Sequence, residues 1–311
     1  MKLVTIDAWP SGRTGALLDD EVLDFALAAP VIPLAGYIPA NMPALLAGGP
    51  EGLDMVRRVV GRVAEARPSE REQLRASGAL KPQTQVKLLA PVPRPGILLS
   101  HGRAYKSHLK EMNRTKPAEN PSAFLKNINS IVGPEAPIRL PPQCPDMVDQ
   151  EVEFTIVFGA PCHNIKEDEA MGCVAGYTLI NDVSARNWVE NFQATGDPDL
   201  NRMGKQLPGF TPMGPVIATR DEILDPHDVA VKSFINDKVM QDAHTSDLIW
   251  TIPQLIAFFA RWYAFKPGDL LSTGSPAGVG YGRNPKVFIK PGDVIAVSAS
   301  GVGTLRNPVV A

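Results

Sequence analysis

In DQEVEFTIVFG, Glu151 and Glu153 stand two residues apart in a run that is otherwise mostly apolar. Alternate side chains of an extended strand share a face, so the two carboxylates converge with Cα atoms about 7 Å apart, close enough to hold one cation. The same spacing also describes the charged, solvated face of a half-buried strand. Further on, the apolar run of GYTLINDVSARNW ends in Asn181-Asp182. Asp182 could complete a set of three carboxylates and leave the other octahedral positions to water and substrate, or it could cap its strand in an Asx turn. All-oxygen ligation suits magnesium or manganese, and the same donor set admits calcium.

Other side chains could move protons or hold an anion. In HGRAYKSHLKEM a helix would put His108 and Glu111 on one face, where Glu111 could orient the imidazole and His108 could take a proton from water. That spacing is also common on plain helix surfaces. Lys126 in AFLKNINS, Lys205 in MGKQLPGF and Arg186 could hold a substrate carboxylate or a developing enolate, though each alone is an ordinary surface cation. TGSPAGVGYG offers glycines for close backbone approach and the Ser275 hydroxyl. No GKS or GKT follows it, so it is not a phosphate loop.

Strands and turns must bring these groups together. The start reads as two short strands, KLVTIDAW and TGALLDDEVLDF, with a turn at Ser11-Gly12. A helix follows over EGLDMVRRVVGRVAEA, where Leu53, Val56, Val59, Val60 and Val63 form the apolar stripe. From Pro68 to Gln85 the sequence is polar and aperiodic, which places a boundary near residue 85 between a small N-terminal α/β module, 1–85, and a larger part, 86–311. In the larger part strands are expected at Ile97–Ser100, AFLK, SIVG, EVEFTIVFG and VAGYTLI. A polar segment spans Ala104–Asn120, a helix candidate lies at KEDEAMGC and a loop at Gln193–Gly209. One further helix, IPQLIAFFARWYAF, has Pro253 in its first turn, and strands with glycine turns close the chain. The alternation predicts an α+β, β-rich fold.

The 311 residues are 44% hydrophobic and 21% charged, enough for an ample core. A net charge of −2 with scattered basic residues argues against nucleic acid as a partner. No apolar run approaches the roughly 20 residues that cross a bilayer, and MKLVTIDAWP lacks the basic start and apolar core of a signal peptide, so a cytoplasmic location away from membranes is expected. Cys144, Cys162 and Cys173 are spaced unlike a zinc or redox motif and read as buried thiols.

Taken in order, GRAYKSHLKEM, PSAFLKNINSIVG, DQEVEFTIVFG, GYTLINDVSARNW, MGKQLPGFTPMGP, STGSPAGVG and GVGTLRNPV resemble the fumarylacetoacetate hydrolase family from about Ile97 to Leu305. The resemblance implies a mixed β-roll, usually a homodimer, with a divalent metal on Glu151, Glu153 and Asp182. It places His108 and Glu111 on a lid that activates water. It puts Lys126, Arg186, Lys205 and Ser275, and less directly Arg103, where family members contact substrate. The implied activity is acylpyruvate hydrolase-like: water attacks the distal carbonyl of a small anionic β-diketo acid, and the carbon-carbon bond breaks to release a pyruvate-type enolate. Decarboxylation of an oxaloacetate-like acid or keto-enol isomerisation would use the same enolate site. The chain departs from the family pattern at Ala104 where Asn is frequent, at Ser275 for Thr, and at Asn187 and Val189 for Asp and Gln.

Overall fold

The computed structural model describes residues 1–8, 12–32, 37–114 and 116–311, so the expected turn at Ser11-Gly12 lies partly outside the described residues. The chain has a mixed α+β, strand-rich fold built on a twelve-stranded sheet and a five-stranded one. At the centre of the larger sheet, Val152–Phe158 pairs antiparallel with Val174–Asn181 on one side and with Leu270–Ser272 on the other. Leu270–Ser272 runs parallel to Leu98–Gly102, which pairs antiparallel with Ser122–Leu125. This order gathers the ends of strands that are far apart in sequence.

Val152–Phe158 is buried at every position, which removes the alternative of a solvated glutamate face. Val152, Phe154, Ile156 and Phe158 enter one hydrophobic core and Val157 enters another, so both faces of the strand are covered. Ring stacking of Phe154 on Tyr177, at 4.9 Å between centroids, and of Phe158 on Phe265, at 4.3 Å, locks this strand against its neighbours. The smaller sheet closes the same core with Val231, Val297, Ala299 and Leu305. Within it Ala230–Ile235 pairs with Lys238–His244 and Val294–Ala299, and the latter with Gly303–Val310.

The N-terminal strands extend the large sheet, because Lys2–Ile6 pairs antiparallel with Thr211–Thr219. The segments 1–85 and 86–311 therefore share one sheet. Three strands form here, Lys2–Ile6, Arg13–Leu18 and Glu21–Asp24, where the sequence suggested two; Asp19 adopts a positive φ of 51° and turns the chain inside the second run. The expected helix forms at Gly49–Ala64 and buries Leu53, Val56, Val59 and Val63.

Other elements correct the sequence reading. Pro68–Ala76 is helical although its only buried residue is Leu74; Arg71 and Arg75 tie it to Glu21 instead. Asn187–Thr195 and Pro198–Met203 are helices across a stretch read largely as loop, and the first of them buries no residue that would show as an apolar stripe. KEDEAMGC yields only a short 3-10 turn, Ala170–Cys173, preceded by a turn in which the Glu169 carboxylate accepts from the Lys166 N–H at 2.8 Å. No helix among the described residues is long and apolar enough to cross a membrane.

Candidate active site

The carboxylates meet where two antiparallel strands end side by side. Asn181 Oδ1 accepts from the Glu151 N–H at 2.9 Å and the Asp182 N–H donates to the Glu151 carbonyl at 2.9 Å, which fixes these segments against each other. Glu151, Glu153 and Asp182 are all buried, and each offers a carboxylate oxygen within 4.8 Å of the other two. Three like charges in so small a space need cationic company.

That company comes from Lys126, Lys205 and Arg186, all buried or nearly so. Lys205 Nζ donates to Glu151 Oε2 at 2.7 Å, Asp182 Oδ2 at 2.6 Å and Ser184 Oγ at 2.8 Å. Lys126 Nζ pairs with Asp182 and donates to the Lys205 carbonyl at 3.0 Å. Arg186 bridges Glu151 and Asp149, reaching Asp149 Oδ2 from two nitrogens at 2.9 and 2.7 Å. Among the described residues Glu153 has no cation in contact and accepts instead from the hydroxyls of Ser100 and Ser272.

The electrostatics follow from these contacts. Burial, with Asp182 and Glu151 adding repulsion, pushes the Glu153 carboxyl up to about 8. Glu151 is equally buried, but Lys205 and Arg186 outweigh that burial and hold it below the ordinary carboxylate range. Three carboxylate oxygens without nitrogen or sulfur donors match a hard divalent ion such as magnesium or manganese, whose charge would favour the ionised form of Glu153.

His108 and Glu111 lie on the short helix Lys106–Glu111. His108 Nδ1 and Glu111 Oε2 are 2.8 Å apart, and Glu111 Oε1 accepts from the Gly278 N–H at 2.8 Å. Glu111 is thus anchored to the glycine-rich loop, and His108 keeps its Nε2 for another partner. The same loop donates from the Gly280 N–H to Asp149, which ties the His108 helix to the Arg186 side of the cage. Gly278, with φ +102°, has no room for a side chain: a Cβ there would lie 2.4 Å from the Met240 carbonyl oxygen.

Ser275 is held by Gln241, whose Nε2 donates to its hydroxyl at 2.8 Å while its Oε1 accepts from the Val152 N–H at 2.9 Å. Arg103 is the outlier of the sequence-derived set. It is exposed at a turn with φ 56° and faces a separate cavity.

Sequence reasoning passed over Asp149, Ser100, Ser272, Ser184 and Gln241. Asp149 has the most partners: besides Arg186 it accepts from the Gly280 N–H at 2.8 Å and the Tyr281 N–H at 2.9 Å. It extends the alternate spacing of Glu151 and Glu153 by one step in the same DQEVEF run, and that was its available signal.

Residues 98–310 match the family described as fumarylacetoacetate (FAA) hydrolase C-terminal. The chain belongs to the fumarylacetoacetate hydrolase family. It is 39% identical over 240 residues to a mitochondrial oxaloacetate tautomerase of Homo sapiens, covering 77% of this chain and 74% of that protein. Among solved structures of the family, a fumarylacetoacetate hydrolase from psychrophilic Exiguobacterium antarcticum superposes with a TM-score of 0.77 at 30% identity, covering 100% of this chain and 99% of that one. Maleylpyruvate hydrolase from Sphingobium, solved in complex with manganese (II) ion and pyruvate, gives 0.71 at 28% identity with the same coverage. The family thus spans hydrolases and a tautomerase of small keto acids.

Proposed function

We propose that the chain is a divalent-metal-dependent enzyme of small anionic keto acids that hydrolyses the carbon-carbon bond of an acylpyruvate or similar β-diketo acid. The observation that carries this reading is the buried carboxylate triad lying beside the anchored His108–Glu111 pair. Held by Glu151, Glu153 and Asp182, magnesium or manganese would supply Lewis-acid polarisation of a carbonyl oxygen.

The chain's own residues divide the remaining work. Asp149 fixes Arg186 and Arg186 fixes Glu151, while Lys126 fixes Asp182. Lys205 donates to Glu151, Asp182 and Ser184; with a metal on the two carboxylates its ammonium would be released to meet a substrate carboxylate or the negative charge that develops on its oxygen. Ser275, held by Gln241, and Arg103 are proposed as further substrate contacts. Glu111 orients His108, whose Nε2 takes a proton from water. The water oxygen bonds to the distal carbonyl carbon, the neighbouring carbon-carbon bond breaks, and its electron pair passes to a pyruvate-type enolate that is then protonated. All these residues lie in 86–311, so we assign that part the catalysis and 1–85 a supporting role.

A second reading has one specific support, the naming of the human relative as an oxaloacetate tautomerase. The same site would then shift a proton between the keto and enol forms of an oxaloacetate-like acid, or release carbon dioxide from it, with His108 moving the proton and no water attack. Product analysis separates the two. Acylpyruvates and oxaloacetate are incubated with the manganese-loaded protein; stoichiometric pyruvate and carboxylic acid from the acylpyruvate support hydrolysis. Oxaloacetate tautomerisation or decarboxylation with no acylpyruvate cleavage replaces it by the second reading.

A further inference from the structure

The helix Lys106–Glu111, which carries His108, has six residues and buries only Leu109. A helix this short gains too little from its own hydrogen bonds to hold its shape in water, so partners outside it must fix it. Its C-terminal end has such a partner, because Glu111 accepts from the Gly278 N–H. Its N-terminal end lacks the usual one. Tyr105 stands at the cap position, and its side chain accepts no hydrogen bond from the first turn.

The missing acceptor comes from a distant part of the chain. Asp247 Oδ2 accepts from the Ser107 N–H at 2.9 Å, across 140 residues of sequence. Ser107 is the second residue of the helix, where the side chain of a local cap would ordinarily bind. Beside this contact the Ile249 N–H donates to the Ala104 carbonyl at 2.9 Å, and Tyr105 bridges to Leu248.

Asp247 itself stands on a fixed base. It ends the 3-10 turn Thr245–Asp247, in which buried Thr245 donates its N–H to the Val229 carbonyl at 2.9 Å and accepts from the Val229 N–H with its hydroxyl at 3.0 Å. That turn directly follows the strand Lys238–His244, whose Gln241 holds Ser275 and the Val152 N–H. One strand thus leads to the contacts that position the cage strand, the glycine loop and the His108 helix.

We propose that Asp247 is a positioning residue for His108, a cap supplied in space rather than in sequence that keeps the His108 helix formed at the site. The inference rests on the reading of His108 as the group that takes the proton. Among the described residues Asp247 makes no hydrogen bond to Glu151, Glu153 or Asp182, so its loss acts through the helix and not on the metal ligands.

The test reads three quantities on the full-length manganese-loaded protein: manganese affinity, hydrogen exchange of the amides of the His108 helix, and kcat for acylpyruvate and oxaloacetate. In Asp247→Ala the helix amides are expected to exchange about ten-fold faster and kcat to fall by up to about ten-fold, the usual worth of a cap. Manganese affinity and exchange in the strand Val152–Phe158 stay at the parent level. Asp247→Asn, whose side-chain oxygen accepts the same bond, restores both losses. In a His108→Ala background Asp247→Ala lowers kcat no further. Unchanged helix exchange, or a fall in kcat that persists in the His108→Ala background, overturns the proposal. The two readings fail differently. Raised exchange with an unchanged kcat in Asp247→Ala, while His108→Ala is impaired, overturns the positioning role alone; full turnover by His108→Ala overturns the proton-transfer role of His108, whatever the exchange shows.

Discussion

Lys205 places its ammonium between Glu151 and Asp182, donating to Glu151 Oε2 at 2.7 Å and to Asp182 Oδ2 at 2.6 Å. A cation entering the cage competes with that ammonium for the same oxygens. Lys205→Met therefore tightens manganese binding, measured by calorimetry, and raises KM for a keto acid by about ten-fold or more through loss of a charge-assisted contact. Unchanged values of both would remove Lys205 from the site.

His108 is oriented by Glu111 through a 2.8 Å contact and touches none of the three carboxylates. His108→Ala should leave manganese affinity near that of the parent and lower kcat for acylpyruvate hydrolysis by roughly 10²–10⁴-fold, the usual contribution of a positioned general base. Glu111→Gln should have a smaller effect of the same sign. Full hydrolytic turnover by His108→Ala would rule out the water-activating role.

Asp149 is buried and holds Arg186, Gly280 and Tyr281 at once. Asp149→Ala leaves the buried guanidinium with Glu151 alone and takes the side-chain acceptor from three backbone N–H groups, those of Gln150, Gly280 and Tyr281, a loss of about 3 kcal/mol or more. Thermal melting should show the drop even without substrate. A melting midpoint equal to that of the parent would mean that solvent or a shifted side chain replaces the carboxylate.

His101 is buried, with Nδ1 2.7 Å from the Ser122 carbonyl oxygen and its ring edge-on to Trp250 and Phe259. Burial, with a contribution from Arg103, pulls its pKa from 6.5 down to about 4. A proton therefore binds the unfolded chain first as pH falls. The stability owed to the neutral ring is complete above pH 6.5 and is lost as pH falls toward about 4, in total about 3 kcal/mol. Denaturant titrations of the parent and of His101→Asn across this window should diverge in slope, the variant losing less stability. Parallel curves would show that His101 does not carry this dependence.

Much of the site was legible because its chemistry follows strand periodicity. Glu151 and Glu153 share a face by the two-residue repeat, and Asp182 ends an apolar run, so their convergence needed only the pairing of Val152 with Asn181. Their burial was not legible. A strand covered on both faces and carrying a charged pair looks like a half-solvated one until the Lys205 and Arg186 contacts are known. Lys126 shows the same limit: its type suggested substrate, but its partners are Asp182 and the Lys205 carbonyl, and only tertiary structure brings those together. The missed helices Pro68–Ala76 and Asn187–Thr195 bury one residue and none, so no apolar repeat announced them. The long helix Gly49–Ala64, with four buried residues on one stripe, was plain.

The central claim is that Glu151, Glu153 and Asp182 hold a divalent ion on which activity depends. Its most direct test is manganese titration of the metal-stripped protein and of Glu151→Gln, with acylpyruvate and oxaloacetate turnover followed in the same samples. The prediction is one ion bound per chain, activity that rises with occupancy, and loss of both in Glu151→Gln. Full activity of the stripped protein, or manganese binding and turnover in Glu151→Gln equal to those of the parent, would contradict it.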